Sequence, residues 1–101
     1  MKIAIAATSA EENAQVARGA RAPYYFLIDT ESGLSEALAN PASQSERGAG
    51  PQAAAYLISR GVDTVVAGDF GPKFRIELES GDIACVEKTG TVSEIVTELS
   101  N

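Results

Sequence analysis

Residues 61 to 73 read Gly61-Val62-Asp63-Thr64-Val65-Val66-Ala67-Gly68-Asp69-Phe70-Gly71-Pro72-Lys73, and they decide the fold. Asp63 to Ala67 is a short β-branched and apolar run bounded by glycines, which reads as a buried strand. Gly68 to Gly71 is a tight loop. Pro72 then opens a helix to Ser80, because a proline at the first helical position gives up no hydrogen bond. A strand, a tight turn and a helix in this order make half of a crossover between parallel strands, and such crossovers are right-handed.

The punctuation on either side extends the pattern. Upstream, Pro51 opens a helix to about Arg60, with Ala53, Ala54, Leu57 and Ile58 as its apolar stripe and Gly61 as its stop. Downstream, Gly81 ends the second helix and Asp82 to Glu87 is a strand. Thr91 with Glu94 three residues later is a capping box, and Ile95, Val96 and Leu99 form the buried face of the helix it starts. In the first half, Lys2 to Ala6 and Ala22 to Asp29 read as strands, Pro23 being tolerated at a strand start. Thr30 to Gly33 has the length of a hairpin turn, so Leu34 to Ala39 is expected as a third strand, although its alanines would suit a helix equally. Residues 7 to 20 and 40 to 50 are loops. The order β-β-β-α-β-α-β-α specifies an α/β protein with a five-stranded mixed sheet and helices on its faces. Three antiparallel strands come first, and the later ones lie parallel to the first. Neither a repeat nor a linker interrupts the chain, and residues 1–101 are expected to form one domain.

Composition narrows the function. The 101 residues are 45% hydrophobic and 22% charged, ordinary values for a folded domain. A net charge of −6 speaks against nucleic acid as a partner, since phosphate binding needs a basic face. The apolar N-terminus, Met1 to Ala7, is too short for a signal peptide or a membrane span, so no membrane is expected. The single cysteine, Cys85, fits a reducing cytoplasm. There is no histidine, which removes cysteine–histidine zinc sites and serine–histidine or cysteine–histidine dyads.

Chain direction locates a candidate site. If the carboxyl end of the first strand is the top, loops 7–21, 40–51, 68–73 and 87–91 all converge there, where ligands of open α/β sheets bind. Glycines Gly48, Gly50, Gly68, Gly71 and Gly90 fall in these loops, as do Arg18, Arg21, Arg47, Lys73 and Lys88. The acids Asp29, Glu31, Glu36, Glu77, Glu79 and Asp82 fall on the lower body. Glycines beside helix N-termini and a set of cations fit an anion. The same features also suit ordinary solvated loops, and no phosphate-loop or dinucleotide pattern is present. Cys85, between Ala84 and Val86, reads first as a small buried hydrophobe and only secondarily as a metal ligand. Asp29 and Asp63 belong to the bottom, far from Asp69, so these acids do not make a metal cluster.

Arg21-Ala22-Pro23-Tyr24, Asn40-Pro41, Gly48-Ala49-Gly50-Pro51, Gly61-Val62-Asp63, Ala67-Gly68-Asp69-Phe70-Gly71-Pro72 and Gly90-Thr91-Val92 stand here in the order and spacing of one family. Over essentially its whole length the chain resembles the dinitrogenase iron–molybdenum cofactor biosynthesis family. The resemblance implies a ribonuclease H-like fold and a nitrogen-fixation-related role as a carrier of the iron–molybdenum cofactor or a related metal–sulfur cluster. One branch of the family binds a molybdenum–copper sulfide cluster. The chain departs from the family where many members carry histidine. Arg18-Gly19-Ala20-Arg21 stands in place of a His-Phe-Gly-Arg pattern, and Arg47 stands just before the Gly-Ala-Gly-Pro loop. Arginine does not ligate a metal, but it pairs with anionic sulfide or carboxylate groups.

The resulting expectation is a non-catalytic binding module for an anionic cluster, held by Arg18, Arg21, Arg47, Gly48, Gly50, Gly68, Gly71 and Lys73, with Cys85 as the one metal candidate. Cofactor-assembly proteins would be its partners. The alternatives are a protein–protein regulatory module that has lost cluster binding and, less favoured, a ribonuclease H-like nuclease.

Overall fold

A computed structural model describes residues 1–99. The elements follow in the order β1 (Lys2–Ala7), β2 (Tyr24–Asp29), β3 (Ser35–Ala39), α1 (Ala49–Ser59), β4 (Thr64–Ala67), α2 (Pro72–Ser80), β5 (Ala84–Glu87) and α3 (Val92–Leu99). The five strands form one sheet in the order β3-β2-β1-β4-β5. β1 pairs antiparallel with β2, from Lys2 opposite Asp29 to Ala7 opposite Tyr24, and β2 pairs antiparallel with β3. β4 lies parallel to β1, and β5 parallel to β4. This is the expected mixed sheet.

Each face of the sheet has its own core, because alternate residues of a strand point to opposite sides. Ala4, Ala6, Tyr25, Leu27, Val65 and Ala67 pack under α1 and α2, meeting Ala53, Ala54, Leu57, Phe74 and Leu78. Ile3, Ile5, Phe26 and Val66 pack under α3, meeting Val92 and Ile95. Full burial of a Leu57 or a Leu78 stabilises the fold by about 1.5–3 kcal/mol each.

Several expectations shift in detail. α1 begins at Ala49, two residues before Pro51, because Gly48 adopts a left-handed conformation (φ 70°) and turns the chain into the helix. Pro51 is then the third helical residue, still within the turn whose N–H groups have no intrahelical acceptor. Ile58 is 44% exposed rather than core, and Ala49 is buried instead. On α3 the fully buried pair is Val92 and Ile95, whereas Val96 and Leu99 are half-buried. β5 starts at Ala84, because the Ile83 N–H still donates to the Leu78 carbonyl to close α2.

The alanine-rich Ser35–Ala39 is a strand. Its hairpin decides this: the Asp29 N–H donates to the Leu34 carbonyl, and the Asp29 carboxylate accepts from the Glu31 and Ser32 amides. Pairing overrides the helical preference of the alanines. No helix among the described residues is long and apolar enough to cross a membrane.

Candidate functional site

The sheet register puts the end of β1, the start of β2 and the ends of β3, β4 and β5 at the same edge. The loops leaving this edge enclose a cleft of about 590 Å³ between the N-termini of α1 and α2. Gly50 and Gly71 both line it, so the two glycine–proline loops meet as chain direction requires. The two helices touch here. A methyl group added at Gly50 would stand 3.1 Å from the Phe74 backbone nitrogen.

Both helices enter the cleft bare. Gly48 caps α1 and Gly71 caps α2, neither offers a side-chain oxygen, and neither helix has an acid in its first turn. Among the described residues, the N–H groups of Ala49, Gly50, Lys73 and Phe74 find no acceptor; the first backbone bonds are made by Gln52 and Arg75, to the Gly48 and Gly71 carbonyls. α3 is the contrast. The Thr91 hydroxyl accepts from the Glu94 N–H at 3.2 Å, and the Glu94 carboxylate accepts from the Thr91 N–H at 3.1 Å, which completes the expected capping box. The Thr91 N–H and the Thr91 hydroxyl, which donates to the same carboxylate oxygen at 3.0 Å, hold the Glu94 carboxyl below its ordinary pKa. The chain therefore caps the helix that lies away from the cleft and leaves uncapped the two that open on it. Each uncapped N-terminus carries roughly half a positive charge.

The cations of the cleft differ in how free they are. Lys73 lines it, is exposed and makes no ion pair with the described residues. Arg18 lines it too, but its Nε and Nη2 both donate to Oδ2 of Asp69, at 2.8 and 2.7 Å. Arg21 lines it with its guanidinium turned to the preceding loop, where Nη1 donates to the Ser45 carbonyl and Nη2 to the Glu46 carbonyl at 3.4 Å. Arg21 thus fastens the 40–48 loop to the 18–22 loop.

Of the other residues singled out in the sequence, Gly48 belongs to the cleft wall, whereas Arg47, Gly68 and Cys85 lie outside its lining. Arg47 is exposed, one residue before the α1 cap, with no ion-pair partner among the described residues. Gly68 packs against the 7–21 loop, its N–H donating to the Ala17 carbonyl at 2.9 Å. Cys85 sits in β5 opposite Val65, half-buried against the α1/α2 core, and burial raises its thiol pKa. A raised thiol supplies little thiolate, the form that ligates metals. Lys88 pairs with Glu98 at 3.0 Å.

Two participants were hard to see in the sequence. Gly19 (φ 20°) donates its N–H to the Asp69 carbonyl at 3.0 Å, and its own carbonyl accepts from the buried Tyr25 hydroxyl at 3.1 Å, so it anchors the Arg18 loop to the α2 loop. Phe74, a buried residue of the cleft wall, carries a backbone N–H with no bond among the described residues, which no side-chain pattern reveals. Among the described residues, no three His, Cys, Asp or Glu side chains gather where they could hold a metal ion.

Fold and cleft together define an α/β protein whose two uncapped helix N-termini open on one cleft. The chain belongs to the dinitrogenase iron–molybdenum cofactor family, whose model matches residues 1–101. It is similar to a NifB-like protein from Thermotoga, placed in the DUF35 family, at 30% identity and a TM-score of 0.84, over 98% of this chain and 86% of that one. It is also similar to the apo form of the orange protein from Desulfovibrio gigas, at 25% identity and a TM-score of 0.89, over 97% of this chain and 85% of that one. No curated protein matches the chain.

Proposed function

We propose that this protein binds an anionic metal–sulfur cluster, the iron–molybdenum cofactor or a related one, in the cleft between α1 and α2, and carries it without transforming it. The observation that carries this reading is the contrast in capping. Two helix N-termini with unbonded N–H groups face one cleft, in a chain that caps its third helix fully. Membership of a family described by the iron–molybdenum cofactor supports a cluster as the anion.

The chemistry is outer-sphere. Sulfide and carboxylate groups of a cluster accept hydrogen bonds from the Ala49, Gly50, Lys73 and Phe74 amides, and from the Lys73 and Arg18 side chains. Charged acceptors strengthen such bonds to about twice the neutral value. The metals keep the ligands they arrive with, since no thiolate or imidazole lines the cleft. Gly48, Gly50 and Gly71 let the cluster approach the backbone, Arg21 fixes the loop that closes one side, and Arg47 adds attraction from the rim. Gly68 acts through packing, and Cys85 takes no part. The partners are the anionic cluster and the cofactor-assembly proteins that load or unload it in the cytoplasm.

An anaerobic titration with tetrathiomolybdate, followed by amide chemical shifts, tests the reading. The Ala49, Gly50, Lys73 and Phe74 amides are expected to move together, and added salt is expected to weaken the effect. If those amides stay still while the folded protein is saturated with the anion, the carrier role fails and the regulatory module is the better description.

A further inference from the structure

Among the described residues, Asp69 supplies the one carboxylate in the lining of the cleft, and it sits on a cation that an anionic ligand needs. Both contacts from Arg18 fall on a single oxygen, Oδ2, at 2.8 and 2.7 Å. The Arg18 side chain is 86% exposed and bonds to no other described residue, so only its head is held. Asp69 is fixed more firmly. Its carbonyl accepts from the Gly19 N–H at 3.0 Å, and it lies two residues before the α2 cap. The three cleft cations are thus in three states. Lys73 has no ion-pair partner among the described residues, Arg21 is committed to loop carbonyls, and Arg18 is held by a carboxylate already inside the site.

Resting on the reading of this cleft as an anion site, we propose that Asp69 is an internal competitor for the ligand, which binds by drawing Arg18 off the carboxylate. With the cleft empty, Asp69 takes the place of the anion against Arg18 and limits the mutual repulsion of the cations. When a cluster enters, Arg18 rotates about its stem and exchanges one acceptor for another. The ion pair is exposed and therefore weak enough to exchange. The consequence is lower affinity and faster release, which suits a protein whose cargo is passed on. Asp69 acts on the ligand through Arg18, so it is a positioning residue.

Simple charge repulsion from Asp69 would also weaken anion binding, but it would not need Arg18. A double-mutant cycle separates the two. Tetrathiomolybdate affinity would be measured anaerobically for the natural chain, Asp69→Asn, Arg18→Ala and the double variant, with thermal melts to verify folding. Asp69→Ser serves as a second variant, because an asparagine oxygen can still accept from Arg18. Removing the carboxylate is expected to tighten binding by about fivefold, the upper reach of an exposed pair. This gain is expected to vanish in the Arg18→Ala background. An equal gain in both backgrounds, or none in either, overturns the competition. Failure of all four folded proteins to bind the anion overturns the carrier reading itself, and this inference with it.

Discussion

Gly50→Ala places one methyl group at the point where the helices meet, and its effect can be worked out from three distances. The new Cβ would lie 3.1 Å from the Phe74 nitrogen, 3.4 Å from the Phe74 Cα and 3.6 Å from the Lys73 carbonyl carbon. All three are backbone atoms of the first turn of α2, so no side chain can rotate away. The helices must separate by a few tenths of an ångström. Overpacking of this kind costs about 1–3 kcal/mol. Against it stands the removal of a glycine from a helix, worth about 0.5–1 kcal/mol. The net loss is about 0–2.5 kcal/mol. For a domain of this size that lowers the melting temperature by up to roughly 20 °C. The same methyl covers the Phe74 N–H, so tetrathiomolybdate affinity should fall about tenfold, by analogy with the loss of one charged hydrogen bond. Gly71→Ala is the control for packing alone, because its Cβ meets nothing within 4 Å and its φ of −66° suits any residue. That variant should lose no more than about 1 kcal/mol, the preference of an N-cap for glycine over alanine. Calorimetry and anaerobic titration of both proteins read the difference. If Gly50→Ala melts and binds like the natural chain, the two helix N-termini are not in contact as described, and the geometry of the cleft is wrong.

Cys85→Ala should lower stability by about 1 kcal/mol or less and leave anion binding unchanged, as measured by denaturant unfolding and titration. Because burial raises the thiol pKa, alkylation of Cys85 in the folded protein should be slower at neutral pH than that of a free thiol. Thr91→Ala should cost about 1 kcal/mol through loss of the α3 cap, read by thermal melting. Glu94 has a depressed pKa in the folded state, so its contribution is present above its ordinary value of 4.5 and is lost as pH falls through the folded value. Melts of Glu94→Ala and the natural chain should therefore differ at pH 6, and the difference should shrink as the pH falls through the depressed folded value. Arg21→Ala frees the Ser45 and Glu46 carbonyls, so amides of residues 40–48 should exchange faster with solvent while the sheet amides hold their protection.

How much of this was legible in the sequence depended on whether the deciding contact is local. The proline at the start of α2, Gly61 after α1 and the Thr91–Glu94 box act within a turn, and each marked an element correctly. Ser35–Ala39 was readable only through its hairpin, because its composition favours a helix and its pairing partner does not. Ile58 was misplaced for the converse reason. Its spacing matches the α1 stripe, but α2 ends beside it at Gly81 and leaves it at the edge of the packing. The arginines were the least legible. Chain direction placed Arg18, Arg21 and Arg47 in converging loops, but not in different states. Arg18 is held by Asp69, Arg21 by two carbonyls, and Arg47 has no ion-pair partner among the described residues. Those partners are separated by 24 or more positions in the chain, and no local pattern encodes them.

The same distinction explains why the candidate site could be located but not resolved. Gly48-Ala49-Gly50-Pro51 and Gly71-Pro72-Lys73 announce helix starts, and a glycine at such a start is ordinary by itself. It becomes informative only when two such starts face each other and the third helix of the chain is capped by side chains. In the sequence the three helix starts differ only in their residues: Gly48 and Gly71 have no side chain to offer, whereas Thr91 does. In the fold that difference acquires a direction, because the uncapped ends share one cleft with Lys73 and Arg18, and the capped end lies elsewhere. Capping α1 and α2 would be the cheapest way to stabilise this domain, since a serine or aspartate at an N-cap is worth about 1 kcal/mol. A chain that uses such a cap at Thr91 and forgoes it at both positions facing the cleft leaves those amides without a bond among the described residues, which is what the proposed anion site requires.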